Sequence, residues 1–181
     1  MKPRVRKITL LGEPVLRKRS ASLRAITPRE QRLIDDMLVT MKKARGVGIA
    51  APQIGVGQRL FIVAPGPSVR YPHAPFLPPL AMINPRLLTH SSAVENDWEG
   101  CLSIPGIRAR VPRWRSIEIE FTARNGRKIR ARLKGFVARI FQHEFDHING
   151  KVYLDRVRDT RTFMVEREYR LKLRGKKKSA R

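Results

Sequence analysis

The sequence is poor in cysteine, acidic residues and long apolar segments, and each shortage excludes a class of protein. Its one cysteine, Cys101, cannot form a disulfide within the chain. This argues against a disulfide-stabilised secreted domain and favours a reducing compartment. No apolar run reaches the roughly 18 residues that a membrane-spanning helix needs, and no signal-peptide pattern occurs near the start. With 181 residues, 41% of them hydrophobic, the chain suits one folded domain with an ample core.

The shortage of acidic residues leaves a large positive charge, because 39 Lys+Arg face only 15 Asp+Glu and the formal net charge is +24. Such a surface attracts polyanions, although a basic surface can also serve solubility alone. We expect an RNA-rich partner such as the ribosome, contacted through the basic surface and through a basic tail at residues 170–181. Residues 1–169 would form the single domain. We expect neither membrane binding nor DNA specificity.

Local patterns predict a mixture of helices and strands. Thr27 begins a capping box that predicts a helix. Apolar runs predict strands at residues 60–64 and 81–84, the second of them stopped by Pro85. Residues 114–133 alternate around an Asn-Gly turn and predict a hairpin.

Two further helices follow the hairpin. The first contains residues 143–147 and ends at Gly150; its apolar residues on several sides suggest a central place in the fold. The second begins at about Asp159 or Thr160 and contains Phe163 as a packing residue.

Residues 143–147 read HEFDH, which can turn a helix into a metal-dependent hydrolytic site. His143 and His147 are four residues apart, so both imidazoles lie on one helix face and can bind one ion. Glu144 stands beside the first of them, where a carboxylate can accept a proton from bound water. The pattern is typical of zinc hydrolases.

A catalytic site of this kind needs a third protein ligand and an open coordination position. No histidine follows His147, and the downstream candidates are the carboxylates Asp155, Asp159, Glu166 and Glu168. Upstream, Cys101 could supply a thiolate, and one sulfur with two imidazoles suits Zn(II) or Fe(II). The residues alone leave this choice open.

Three sequence blocks resemble the peptide deformylases: residues 46–53 (GVGIAAPQ), 99–103 (EGCLS) and 142–147 (QHEFDH). A weaker match at residues 12–17 extends the likeness over most of the chain up to about residue 165. The resemblance implies an α+β fold with antiparallel strands around a central metal-binding helix, followed by a C-terminal helix. It also implies a hydrolase that removes the formyl group from the initiator methionine of nascent polypeptides and releases formate.

The resemblance implies a role for each matching residue. Metal-bound water would attack the formyl carbon, with Glu144 as general base and then general acid. Gln53, through its side-chain amide, and Leu102, through its backbone N–H, would stabilise the oxyanion. The expected metal ligands are Cys101, His143 and His147, for one Fe(II) ion per chain with Zn(II) as the alternative; the expected substrate-binding residues are Val47, Gly48, Glu99, Arg108 and Phe136.

One departure from the family pattern concerns Arg139, which stands where many bacterial members carry an aliphatic residue. Residues 138–140 and 159–163 instead resemble the mitochondrial-type branch. The block at Gly12 leaves few preceding residues for a transit peptide. We therefore expect a bacterial cytoplasmic protein or, alternatively, an organellar matrix protein after removal of its transit peptide.

Two alternatives remain open from the sequence. A peptide-bond metalloprotease shares the helix motif but does not require Cys101 or Gln53. A non-catalytic RNA-binding protein with a structural metal would not depend on Glu144.

Overall fold

The computed structural model describes residues 2–67, 71 and 74–178, with side chains up to Leu173. It contains three α-helices and eight strands within these residues. The helices are α1 (Pro28–Lys43), α2 (Gly135–Ile148) and α3 (Glu166–Lys178). The strands are β1 (Gly48–Ala50), β2 (Leu60–Val63), β3 (Leu80–His90), β4 (Val94–Cys101), β5 (Ile104–Trp114), β6 (Ser116–Thr122), β7 (Lys128–Lys134) and β8 (Met164–Val165). This is the expected α+β class.

The strands form two antiparallel sheets, in the orders β1-β2-β3-β6-β7 and β4-β5-β8. The predicted hairpin is confirmed as β6 and β7, whose ladder pairs Ile117 with Leu133 and Phe121 with Ile129. Apolar residues of this ladder and of β2 pack against α2, where Phe61 meets Phe141 edge to face at 5.2 Å. Helix α2, which contains residues 143–147, is therefore central in the fold, because apolar residues cover it on several sides.

The ends of α1 follow local sequence signals. The Thr27 hydroxyl accepts a hydrogen bond from the backbone of Arg29, and the backbone N–H of Thr27 donates to Glu30 at 3.0 Å. The capping box predicted from the sequence is thus present. At the other end, backbone N–H groups of Arg45 and Gly46 donate to the carbonyls of Lys42 and Met41, which is a Schellman motif.

Pro85 does not stop a strand, so that expectation is wrong. Strand β3 runs from Leu80 to His90, and its pairing with β6 shifts register between Ile83 and Arg86. Asn84 has φ +49° there, and its side chain bonds the backbone N–H and C=O of Leu23 at 2.9 and 2.8 Å. A proline is tolerated because the bulge needs no ladder N–H at that residue.

The last helix also begins later than predicted. Thr160–Thr162 form a 3-10 turn that Asp159 caps, and β8 separates that turn from α3 at Glu166. Helix α3 runs through residue 170 as far as Lys178, while residues 179–181 lie outside the described part. The division into a domain at 1–169 and a basic tail at 170–181 therefore stays a prediction. Of the helices described, none combines the length and apolar character needed to cross a bilayer.

Candidate metal centre

Three potential ligands that are distant in sequence meet between α2 and the end of β4. One ligand atom from each of Cys101, His143 and His147 lies within 4.8 Å of the other two. The Cys101 Sγ is 3.2 Å from His147 Nε2. Both imidazoles come from adjacent turns of α2, as their i, i+4 spacing requires. No other group of three such side chains comes this close in the part of the chain that the structure describes.

The sulfur reaches this place because β4 and β5 form a hairpin. Cys101 pairs with Ile104 across the two-residue turn at 102–103, and the ladder shifts register between Gly100 and Cys101. The N-terminal segment fixes this turn, since the backbone N–H of Leu11 donates to the carbonyl of Ser103 at 2.8 Å. The turn is thus anchored on a segment about 90 residues earlier in the chain.

These residues fit a divalent transition metal. One thiolate and two imidazoles suit Zn(II) and Fe(II) and leave a fourth tetrahedral position. Beside them, Glu144 Oε2 is buried and has no hydrogen-bond partner among the described residues. A buried carboxylate oxygen in that state is costly unless a bound group satisfies it. The orphaned oxygen therefore agrees with a site that holds an ion and a small ligand.

Glu99 orients one of the two imidazoles. Its Oε2 accepts a hydrogen bond from His143 Nδ1 at 2.9 Å, which leaves the lone pair of Nε2 to face the site. Burial alone would raise the pKa of the Glu99 carboxyl, but the charge of Arg113 and the hydrogen bond from His143 hold that pKa well below its usual range. Glu99 also lies along the cavity, as the resemblance implied, yet its carboxylate is committed to these partners.

Arg113 connects Glu99 to Asp146. Its Nε and Nη2 donate to the two Glu99 oxygens at 2.9 and 3.1 Å, and its Nη1 donates to Asp146 Oδ2 at 2.6 Å. Arg156 also bonds Asp146, at 2.7 Å. All but Arg156 are buried, so α2 is tied to β5 by charged groups that are shielded from water.

The sequence reasoning missed Arg113. A signal existed, because Asp146 falls on a largely apolar helix and a buried carboxylate needs a cationic partner. However, 39 Lys+Arg residues were available to fill that role.

Glu144 is buried and lies against β1. Burial, with a smaller contribution from Glu99, raises its pKa to about 7 against the opposing effects of His143 and Arg113. Gly48 makes room for it: a Cβ at that position would lie 2.9 Å from both Glu144 Cδ and Ile140 Cγ2 and closer still to Glu144 Oε1. Glycine at 48 is therefore required by the close approach of these two side chains.

Gln53 presents its amide nitrogen to the site. Its Oε1 accepts a hydrogen bond from the Ala50 backbone at 2.8 Å, which fixes the orientation of the amide. Its Nε2 then lies 3.4 Å from Cys101 Sγ and 3.3 Å from Ser103 Oγ. Leu102 occupies the adjacent hairpin turn. Both expected oxyanion donors are therefore beside the three ligands.

A cavity of about 400 Å³ opens onto this site. Every residue predicted from the sequence lines it except His147, which is fully buried behind the other ligands. Phe136 contacts the ring of Tyr71 at 4.7 Å, and Arg108 donates to the Tyr71 hydroxyl at 3.3 Å and to Glu166 at 2.5 Å. The first turn of α3 thus forms part of the cavity wall.

Arg139 lines the cavity but is not available to substrate as a free cation. Its guanidinium bonds Glu99 Oε1 at 2.9 Å and the backbone carbonyls of Glu95 and Val111 at 2.7 and 2.8 Å. It is 5% exposed. The departure from an aliphatic residue therefore adds a link from α2 to the β4–β5 hairpin.

Comparisons with known proteins agree with this geometry. The family model described as polypeptide deformylase matches residues 5–163. The chain is 50% identical over 170 residues to peptide deformylase 2 of Nostoc sp., covering 93% of this chain and 95% of that protein. It is 44% identical over 157 residues to peptide deformylase 1 of Bordetella pertussis, covering 86% and 89%.

Solved structures give the same result. A Met-Ala-Ser-bound class I type b peptide deformylase from Acinetobacter baumannii superposes with a TM-score of 0.84 and 37% identity, covering 87% of this chain and 100% of that chain. The peptide deformylase of Thermotoga maritima gives 0.78 and 36%, covering 86% and 99%. None of these comparisons distinguishes the mitochondrial-type branch, which stays a prediction.

Proposed function

The chain belongs to the polypeptide deformylase family and is a metal-dependent enzyme that removes the formyl group from formylmethionyl peptides, and from this premise we propose the role of each residue in its site. The comparisons favour deformylation over cleavage of internal peptide bonds. The observation that carries the proposal is the convergence of Cys101, His143 and His147 beside Glu144.

We propose that Cys101, His143 and His147 bind one divalent ion, with Fe(II) as the native metal and Zn(II) as a competent substitute. Such an ion would lower the pKa of a bound water molecule to about 7 and so supply a nucleophile near neutral pH. Glu99 supports this role by fixing the tautomer of His143.

Glu144 moves the proton in this proposal. Its unpartnered Oε2 accepts the proton of the attacking water, and the carboxyl group then delivers that proton to the departing methionine nitrogen. The close fit of Gly48 against this carboxylate restricts its position.

Gln53 and Leu102 stabilise the negative charge on the formyl oxygen. The hydrogen bond from Ala50 to Gln53 Oε1 keeps the amide N–H group directed at the site, so no reorganisation is needed during the reaction. The second donor is the Leu102 backbone N–H, in the turn that directly follows Cys101. Each donor contributes on the order of 3 kcal/mol to transition-state stability.

The substrate backbone is proposed to pair with the free edge of β1. Strand β1 ends its sheet, bonded only to β2 within that sheet, and Val47 and Gly48 line the cavity. An extended peptide can therefore add to this edge as a further strand. The methionine side chain then enters the cavity near Phe136 and the buried Arg108.

Formate release with anaerobic metal analysis tests these roles. Glu144→Gln should retain the metal and lose at least about 10²-fold in turnover of formyl-Met-Ala-Ser. Cys101→Ser should lose both metal and turnover. His90→Ala is the matched control, because that histidine lies outside the cavity and stacks on Trp114. Unaltered metal content and turnover in Cys101→Ser would refute the ligand assignment.

We also propose that the ribosome is the partner of the basic surface. The exposed residues of β7 are Lys128, Arg130, Arg132 and Lys134, which form a basic row at strand spacing of about 6.8 Å. Arg130 bonds Glu118 of β6 at 3.2 Å, so the other three are the cations offered to a partner. The residues between them, Ile129, Ala131 and Leu133, pack on the core. The basic side chains therefore stay on the outer face of the strand. Such a row suits a phosphate backbone, with a second contribution from the basic residues of α3.

Ribosome cosedimentation at several salt concentrations tests this partner. Each lost contact to phosphate should reduce the slope of log affinity against log salt by about 0.7 to 0.9. Replacing Lys128, Arg132 and Lys134 by alanine, or removing residues 171–181, should weaken binding and leave turnover of formyl-Met-Ala-Ser unchanged. If a variant leaves the salt slope unaltered, the segment changed in that variant does not contact the ribosome.

The bacterial relatives favour the bacterial cytoplasm as location; the organellar alternative stays a prediction.

A further inference from the structure

Arg45 occupies a position where helices usually carry glycine. It directly follows Ala44, the C-cap residue of α1, in the Schellman motif, and has φ +54°. A side chain in this left-handed conformation costs roughly 1 kcal/mol or more, which glycine avoids. Backbone strain of this kind is often found at functional sites. The Arg45 side chain lines the mouth of the catalytic cavity.

The Arg45 guanidinium forms no ion pair or hydrogen bond with any described residue, and it is exposed. Among the described residues, Arg170 on α3 is the other exposed charged side chain that lines the cavity. Its Nε bonds Glu166 at 3.1 Å, but the same carboxylate also bonds the buried Arg108 at 2.5 Å. Among the described residues, the exposed charged side chains of the cavity lining are therefore both cationic, and the Glu166 carboxylate beside Arg170 is shared with the buried Arg108.

We propose that Arg45 and Arg170 form a subsite that favours an acidic side chain at the third residue of the formylated peptide. This rests on the proposed pairing of substrate with the edge of β1. The methionine lies beside Gly48, against Glu144, and the chain then runs towards Gly46 and Arg45. Side chains alternate along an extended strand, so the third residue points to the same side as the methionine, about 6.8 Å further out. That displacement leads from the metal centre towards the arginines at the mouth.

The positive charge of this subsite determines which substrate side chains it favours. A substrate carboxylate neutralises excess positive charge at the mouth and can accept paired hydrogen bonds from a guanidinium. A lysine at the same place meets like charges. Since Arg45 and Arg170 are exposed, the preference is modest, and we expect an Asp to Asn ratio in kcat/KM of about two to five. Salt should reduce this ratio, because the charges are solvent-accessible.

Formate release from formyl-Met-Ala-Asp-Ala-amide and formyl-Met-Ala-Asn-Ala-amide measures the ratio. The amide end removes the terminal carboxylate, which would otherwise place a second anion near the third residue. The ratio should fall to about one in the variant carrying Arg45→Gly and Arg170→Ala. Arg45→Gly should unfold at the same temperature as the native protein or higher, because glycine suits φ +54°. The unfolding temperature of the double variant shows whether a lost preference comes with a loss of folding.

The variant carrying Arg86→Ala and Arg130→Ala is the charge-matched control and should leave the ratio unchanged, since both arginines lie outside the cavity lining. A native ratio of one or less, a ratio that survives the double replacement, or an equal preference for Asp at the second residue would each overturn the proposal. If the native enzyme released no formate from the Asn peptide, the proposed function itself would be contradicted. Failure of the subsite proposal and failure of the proposed function are therefore distinguishable.

Discussion

Replacement of Arg113 by methionine tests the inference that buried charge, and not packing alone, positions the metal ligands. Methionine fills much of the same volume but offers no donor. The change removes three hydrogen bonds, at 2.9 and 3.1 Å to Glu99 and at 2.6 Å to Asp146. Both carboxylates are 5% exposed or less, so water cannot replace the lost donors.

The expected loss of stability depends on the partners that the two carboxylates keep. Glu99 keeps Arg139 and His143, and Asp146 keeps Arg156, so neither carboxylate is left entirely unpaired. Removing one partner from a buried pair costs about 3–5 kcal/mol when the other charge is left uncompensated, so this range is an upper bound for Arg113→Met. For a chain of this size, a loss in this range lowers the unfolding temperature by roughly 6–20 °C. Displacement of Glu99 should also weaken metal binding about 10- to 100-fold through His143.

Urea unfolding of the metal-loaded protein, with metal titration, measures both effects. Arg86→Met is the matched control, because Arg86 pairs with Glu120 at 3.6 Å on the surface with its side chain 72% exposed. It should change the unfolding free energy by no more than about 0.5 kcal/mol. Arg113→Lys should also destabilise, since one ammonium cannot reproduce the fork that reaches both carboxylates. If Arg113→Met were as mild as the control, the buried-charge reasoning would be wrong.

Three further predictions concern the site. Gly48→Ala should lower kcat/KM by about 10²-fold by displacing Glu144. Gly57→Ala is the control and should leave kcat/KM unchanged, because a Cβ there meets nothing within 4 Å. Equal activities of the two variants would show that Gly48 is not required by its close approach to Glu144. Gln53→Ala should lower kcat by about 10²- to 10³-fold with little change in KM, and a loss below about fivefold in steady-state assays would remove Gln53 from the oxyanion site. Chelation of the metal should abolish formate release and lower the unfolding free energy, by about 2.7 kcal/mol where the free ion had been at 100 times its Kd; calorimetry showing no shift would argue against a folded-state metal site.

Features set by neighbouring residues could be predicted from the sequence. The pairing of His143 with His147 on one helix face, the capping box at Thr27 and the Asn-Gly hairpin all depend on backbone periods of a few residues. Each is present in the structure. The two strands that carry Cys101 and Arg113 were not predicted, because β4 is largely polar and exposed and β5 contains two prolines.

Contacts across long sequence separations were decided by the tertiary structure. The residues alone left the third ligand open between Cys101 and several carboxylates, and the β4–β5 hairpin brings the sulfur beside His147, 46 residues away. Likewise, only sheet packing selects Arg113 from so many cations as the partner of Glu99 and Asp146. The sequence by itself determined which chemistry each short segment can offer, since this depends on residue type and local period. The fold alone decided which segments meet, since that depends on how the two sheets pack around α2.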